Sequence, residues 1–457
     1  MQQNRSVSAA DLLPVPNNVP GPSLAIQEAI AAFLQAIRRP CRLLVAVSGG
    51  SDSIGLLVAL REQAPADVTI VAATVDHRLR DGSAREAADV AALCAHLDVR
   101  HVTLIWDGEK PGTGISAAAR EARYALLCAA ADGVGADAIL TGHTLDDQLE
   151  TVAMRSLRGT EVHASGLSGM ADAVLLHRRH WLFRPLLRTH REDIRDFLRG
   201  RGHGWIDDPS NTDFRYERAR MRMAPRSQPP ITVADLDDAS ARRKQISEAA
   251  ASLLADHANV QHGVLMQLSL QALAADPVVL RYALSASAAV FGGREQGPGS
   301  DAMERVLKLV AQGTPGRLTA GRTIFDLRRS GLFLCRETRD LPKLTVEPGV
   351  TSIWDGRFRM TNASGMAVSV GSLEVDRQHA QEFFPSAPSS IAIRAARARP
   401  DVHAEFGGGN TAAMIPMLAP FDRFLPLFDR KIASALAVLV GCDNFPPLPL
   451  VDCERKR

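Results

Sequence analysis

No two of the six cysteines (Cys41, Cys94, Cys128, Cys335, Cys442, Cys453) form a C-x-x-C pair. The usual zinc, iron–sulfur and dithiol spacings are therefore missing, and buried thiols are the expected state. Aromatic residues are few, at 5% with three tyrosines, so nucleic acid would be held by charge and shape rather than on a broad stacking platform. An excess of one charge is also lacking: 53 Lys and Arg against 51 Asp and Glu leave +2, which names no partner by itself. The small, apolar stretch 432–442 contains Ser434 and falls far short of the roughly 20 residues of a membrane helix. The opening residues carry Gln2, Gln3, Asn4 and Arg5, then Pro14, Pro16, Pro20 and Pro22, without the apolar core of a secretory signal. A cytoplasmic protein with no membrane span is expected.

What remains is 457 residues, 46% apolar and 23% charged, enough for two or three globular domains. Residues 1–38 read as a flexible tail followed by a helix over 24–37. Short β-branched runs at 43–47, 68–75, 102–106 and 138–141 alternate with helix-forming segments at 53–62, 84–97, 116–131 and 146–157. That alternation predicts an α/β, doubly wound parallel sheet within a domain spanning 39–226. Ser227-Gln228-Pro229-Pro230 marks a linker. A helical region over 227–320 should follow, with helices at 233–257 and 301–311. A smaller, mixed α/β C-terminal region over 321–457 comes last, with strand-like alternation at 324–336 and 351–361. In the latter, Asp355-Gly356 is a hairpin signal. Beyond 394 the periodicity is poor. Charge is uneven in one place: 178–226 holds 13 Arg against seven Asp or Glu, a stretch that suits either a polyanion or a set of solvated helix faces.

The sharpest motif is Ser48-Gly49-Gly50-Ser51-Asp52-Ser53, between a strand and a helix. Two glycines permit positive φ and close backbone approach, so successive N–H groups and the helix N-terminus can cradle phosphate oxygens. Serine hydroxyls add donors, and Asp52 makes sense on a Mg²⁺ ion that bridges phosphates. No Gly-Lys-Ser/Thr follows, so this is not a Walker A loop. It resembles the loop of the N-type ATP pyrophosphatases, which implies ATP cleavage between the α and β phosphates. Asp76-His77-Arg78-Leu79-Arg80 stands at the end of the second strand, where open α/β sheets bind ligands. Arg120 and Arg123 share a helix face. Gly142-His143-Thr144-Leu145-Asp146-Asp147-Gln148-Leu149-Glu150 follows another strand end. There Asp147 and Glu150, at i and i+3, either cap the helix or bind and deprotonate an ammonium group. Gly112-Thr113-Gly114-Ile115-Ser116-Ala117 matches a dinucleotide fingerprint loosely, but behind a loop too long for it.

Together these segments resemble the bacterial tRNA(Ile)-lysidine synthetases, along with Arg184-Pro185-Leu186-Leu187, Asp207-Asp208-Pro209-Ser210-Asn211 and Arg218-Ala219-Arg220-Met221-Arg222. The resemblance covers about 41–226, and more weakly Trp354-Asp355-Gly356-Arg357-Phe358. It implies ATP-dependent attachment of free L-lysine to C2 of the wobble cytidine of tRNA(Ile) with a CAU anticodon, through an adenylated cytidine. It further implies that Ser48, Gly49, Gly50, Ser51, Asp52 and Ser53 bind ATP, with Mg²⁺ on Asp52. Asp147, Arg123 and His143 would be catalytic, and Glu150, Arg218, Asp76 and His77 would bind substrate. Contacts to tRNA are expected from 227–320. No stable protein partner is expected, and a homodimer is left open. The chain departs from the family where Arg158-Gly159-Thr160 runs into Glu161-Val162-His163, and where Ala219 replaces Asn. Three other readings stand beside this one: a tRNA thiolase with the same loop, a glutamine-dependent synthetase, and a non-catalytic RNA-binding relative.

Overall fold

The computed structural model describes residues 24–158, 168–207, 232–404 and 412–451. The chain divides into two compact units, one of residues 1–241 with 446–457 and the other of residues 242–445. The tail, the Ser227–Pro230 linker and the Arg218–Arg222 segment lie outside the described residues, as do both departures, at Glu161 and Ala219.

In the first unit, helix α1 (Leu24–Ala36) precedes strand β1 (Cys41–Ala46), helix α2 (Ser51–Gln63), strand β2 (Val68–Asp76) and helix α3 (Ser83–His96). Strand β3 (Arg100–Ile105), helix α4 (Ile115–Val134), strand β4 (Ala138–Thr141) and helix α5 (Leu145–Arg158) follow. Strands β5 (Ala173–Leu176) and β6 (His180–Phe183) and helix α6 (Arg191–Gly200) come last. The strands lie in the order β5-β6-β4-β1-β2-β3. Strands β1, β2, β3, β4 and β6 are parallel, while β5 runs against β6. In β1, Leu43, Leu44 and Val45 are fully buried, the unbroken apolar run of a parallel strand covered on both faces. Leu43 aligns with Ile70 of β2 on one side and Ala138 of β4 on the other. The chain therefore leaves β1 toward β2 and later returns to the opposite flank, which makes the gap between β1 and β4 the place where strand order reverses.

The expected parallel α/β sheet is thus present, and its four foreseen strands fall within two residues of their expected bounds. The hairpin of β5 and β6 was not foreseen. A further finding is the path of the C-terminus. Ile37 bridges Leu450, Arg38 N–H donates to the Pro449 carbonyl (2.9 Å), and Trp181 Nε1 donates to the Pro447 carbonyl (3.1 Å). Three prolines in 446–449 favour an extended strap, which helical or strand periodicity could not show.

Helix α7 (Val233–His257), matching the expected bounds, contains the division between the units. The second unit is built on an antiparallel sheet of five strands, with β7 (Thr323–Arg328) at register Thr323↔Arg336 against β8 (Gly331–Arg336). The alternation over 324–336 is therefore a hairpin turned at Arg329-Ser330. The 351–361 alternation is the hairpin of β9 (Thr351–Trp354) and β10 (Phe358–Asn362). Its turn residues Asp355 and Gly356 take φ of 53° and 69°, as Asp-Gly at this place should. Trp354, completely buried, centres a core with Phe333, Phe358 and Phe384. No helix among the described residues is long and apolar enough to cross a membrane.

The same turn carries a concentrated charge. Buried Asp355 accepts from Arg336 Nε (3.0 Å) and Nη2 (3.1 Å), from Arg357 Nε (2.6 Å) and from Arg322 Nη2. Burial pulls the Arg357 guanidinium down to about 10 despite that carboxylate. Replacing Asp355 with Asn leaves buried guanidinium groups without their counter-charge, a change that costs about 3–5 kcal/mol. The urea midpoint of the second unit should fall accordingly, and an unchanged midpoint in equilibrium unfolding would show the cluster to be neutral in stability.

Candidate nucleotide and acid site

The loop after β1 closes on itself before it meets any ligand. Gly49 takes φ +87°, and a Cβ there would come within 2.8 Å of Ile206 Cδ1, so the position needs glycine on both counts. Ser48 N–H donates to Ser53 Oγ (3.0 Å), while Ser53 Oγ donates to the Gly50 carbonyl (3.0 Å) and lies 3.2 Å from Ser48 Oγ. Ser51 Oγ donates to Asp52 Oδ1 (2.9 Å). Ile206 N–H donates to the Gly49 carbonyl (2.9 Å) and holds the loop from the outside. Ser51 opens helix α2, so the N–H groups of its first turn have no partner one turn back within the helix and stand beside the loop. This arrangement suits an anion at a helix N-terminus.

The loop after β4 is pressed against it. A Cβ on Gly142 would lie 2.6 Å from the Asp52 carbonyl oxygen and 3.0 Å from Ser53 N. Only glycine permits that approach. Thr144 then starts α5 through a reciprocal cap: its N–H (2.9 Å) and Oγ1 (3.1 Å) donate to Asp147 Oδ2, and Asp147 N–H faces Thr144 Oγ1 at 3.4 Å. The capping reading of Asp147 is therefore correct in geometry. It is not complete, because the other oxygen faces a cation.

That cation is Arg191, at the first position of α6. Its Nε donates to Asp52 Oδ2 (2.8 Å), its Nη2 to Asp147 Oδ1 (3.2 Å), and its backbone N–H to Asp146 Oδ2 (2.8 Å). Burial pushes the Asp52 carboxyl up, and Arg191 offsets this only in part. Burial disfavours the charged guanidinium of Arg191, but Asp52 and Asp147 outweigh it and hold the group above its ordinary value. Sequence reasoning missed Arg191. Its signal is a cation in the first turn of a helix, where the macrodipole favours acids.

A second group forms at the end of β2. Asp76 Oδ1 accepts from Arg78 N–H (2.9 Å), and His77 meets the Trp106 ring edge-on at 5.8 Å. Burial lowers the His77 imidazole, and the nearby charge of Arg123 lowers it further. The foreseen Asp76, His77 and Arg123 are thus neighbours. His143 Nδ1 lies 2.9 Å from Thr141 Oγ1. Glu150 sits half-buried one turn beyond Asp147 on α5. Arg218 lies outside the described residues. The loose dinucleotide fingerprint opens α4, which nine residues separate from the end of β3, and Cβ atoms at Gly112 and Gly114 would meet nothing within 4 Å. It is not a close-approach turn.

Among the described residues no group of three or more His, Cys, Asp or Glu could hold a metal by itself. Mg²⁺ does not require one, since it takes one or two carboxylates and completes its shell with phosphate oxygens and water. Asp52 and Asp147, gathered on one guanidinium, fit that pattern.

The tightest of these contacts yields a test. Gly142→Ala drives a methyl into the Asp52 carbonyl and should weaken ATP binding by about 100-fold while leaving the far-ultraviolet circular dichroism unchanged. Titration calorimetry with ATP and Mg²⁺ reads it, and a wild-type Kd would mean the two loops separate without consequence.

Residues 22–226 match the PP-loop domain family. Over 448 residues the chain is 42% identical to a tRNA(Ile)-lysidine synthase of Rhizobium meliloti (strain 1021), covering 94% of this chain and 98% of that one. A tRNA(Ile)-lysidine synthase of Mesorhizobium japonicum is 39% identical over 432 residues, covering 89% and 94% respectively. Among solved structures, a U34-tRNA thiolase from Methanococcus maripaludis aligns over 49% of this chain and 72% of its own, at 14% identity and a TM-score of 0.34, too low to bear on function. The full-length matches decide the matter, and this chain belongs to the tRNA(Ile)-lysidine synthase family.

Proposed function

We propose that this protein attaches lysine to C2 of the wobble cytidine of tRNA(Ile) with a CAU anticodon, using ATP. The observation that carries the reading is the pairing of a closed Gly-Gly loop at the sheet's switch point with two carboxylates from separate loops. Family membership along nearly the whole chain points the same way. In the first step the cytidine C2 oxygen attacks the α-phosphorus and pyrophosphate leaves. In the second, the ε-amine of lysine attacks C2, loses a proton, and AMP leaves.

Each group has a task that follows from its chemistry. The backbone of 48–53 and the start of α2 bind phosphate oxygens. Asp52 and Asp147 would hold Mg²⁺, which would supply positive charge to the phosphates. Arg123, beside His77, stabilises charge at the reacting phosphate. Lysine arrives as an ammonium, so a carboxylate must first bind it and then take its proton; Glu150, one turn from Asp147, is assigned that task. His143 and Asp76 orient the cytidine, and Arg218 assists. Catalysis belongs to 39–226 and contacts to tRNA to 227–320. The Arg-rich stretch 178–226 meets RNA phosphates.

The chemistry of the thiols opposes the thiolase alternative. Cys94 and Cys128 are buried, and burial pushes both thiols up to about 12. Burial likewise raises Cys41, to about 11. Sulfur transfer through a cysteine needs a thiolate near neutral pH, and these three thiols sit in the opposite setting.

The reading is tested with ATP, Mg²⁺, radiolabelled lysine and a tRNA(Ile) transcript bearing CAU, by following acid-precipitable label and AMP together. Label should enter the RNA only with ATP. It should vanish when the wobble C becomes U, and Asp52→Ala should lower the rate by about 100-fold or more. AMP release without lysine in the RNA would exclude ligation.

A further inference from the structure

Arg191 touches acids from two loops at once, and each of those loops is internally complete without it. Asp52 has the Ser51 hydroxyl (2.9 Å), and Asp147 has Thr144. What neither loop supplies is a tie between the two carboxylates, which repel one another in a partly buried setting. The guanidinium supplies it through separate nitrogens, Nε to Asp52 and Nη2 to Asp147. Its base is anchored as well. Helix α6 is seated on α2 where a Cβ at Gly55 would meet Ile194 Cγ2 at 2.3 Å, and the Arg191 N–H is held by Asp146 (2.8 Å). A planar fork fixed at its root sets both distance and angle between two carboxylates, which an ammonium on a flexible stem cannot do.

We propose that Arg191 is a positioning residue for adenylation, holding Asp52 and Asp147 in register across the two loops. The proposal rests on the assignment of this site to lysidine formation. Nucleotide and cytidine then meet an acid pair already in place, and the entropy of ordering it is not lost during the reaction. A merely structural ion pair would support folding and leave the turnover of the folded fraction alone. A positioning residue lowers kcat and leaves the affinity for lysine, which is assigned to Glu150, nearly untouched.

The experiment measures AMP release and lysine incorporation by the full-length protein and by Arg191→Ala, Arg191→Lys and Asp196→Ala, with urea unfolding run on each. Wild type comes first: its lysine incorporation tests the assigned function, and the ratio of each variant to it tests the bridge alone. For Arg191→Ala, kcat should fall about 100-fold with the KM for lysine within about threefold of wild type. Arg191→Lys, which keeps the charge and loses the fork, should recover part of this and stand about tenfold below wild type. Asp196, on the same helix and paired with Arg199, should be neutral when replaced. A folded Arg191→Ala enzyme with wild-type kcat, or a loss that follows only the unfolded fraction, overturns the proposal. If the alanine variant does not fold, Arg191→Lys decides alone: a folded lysine variant at wild-type kcat overturns it equally.

Discussion

Everything in the candidate site depends on the backbone contact between Gly142 and Asp52. Strands β1 and β4 are neighbours in the sheet, so their carboxyl ends open side by side, and whatever leaves those ends must share one narrow space. A side chain at 142 would force the loops apart. With hydrogen there instead, the peptide after Asp52 lies against the start of the acidic loop. The Gly-Gly turn and a pair of carboxylates then become a single site. The parallel sheet supplies the adjacency, and the glycine makes it close enough to use.

Proximity on that scale creates an electrostatic problem. Asp52, Asp146 and Asp147 converge from two loops, and burial works against the charged form of Asp52. One guanidinium from a third element resolves it. The second unit solves a similar problem in reverse, with Arg322, Arg336 and Arg357 gathered on the single carboxylate of Asp355. In both places the minority charge sits between groups that would otherwise repel, and its position is set by a local backbone device. For Arg191 the device is the first turn of a helix. For Asp355 it is a hairpin turn with positive φ.

How much of this was legible in the sequence follows from the range of each interaction. Strands β1, β2 and β4 announce themselves through continuous apolar runs, and the Asp355-Gly356 turn through the φ values it demands. The loop 48–53 is equally local, since its glycines and serines close on one another within six residues. Strands β5 and β6 are no shorter than β4, at four residues each, but only His177, Arg178 and Arg179 join them, so the strand–helix alternation that marks β4 does not mark them. The C-terminal strap owes its place to carbonyls of 446–449 pairing with residues about 265 or more positions earlier, and no local pattern encodes such a pairing. Arg191 was hidden for the same reason. Its partners lie 139 and 44 residues away, and in sequence it is one more arginine in an arginine-rich stretch.

The cap of Asp147, which the sequence offered as one reading of that residue, occupies only one oxygen of the carboxylate. Oδ2 takes the N–H and hydroxyl of Thr144, which fixes the rotamer and closes the first turn of α5. Oδ1 is thereby aimed at the place where Arg191 and Asp52 meet. A carboxylate free to rotate would lose conformational entropy each time it engaged a ligand. One pinned by its own helix cap has met that cost in folding. Capping is therefore the means by which a short acidic side chain is aimed at a partner on another element, and a motif that reads as a plain helix start can hold such a residue.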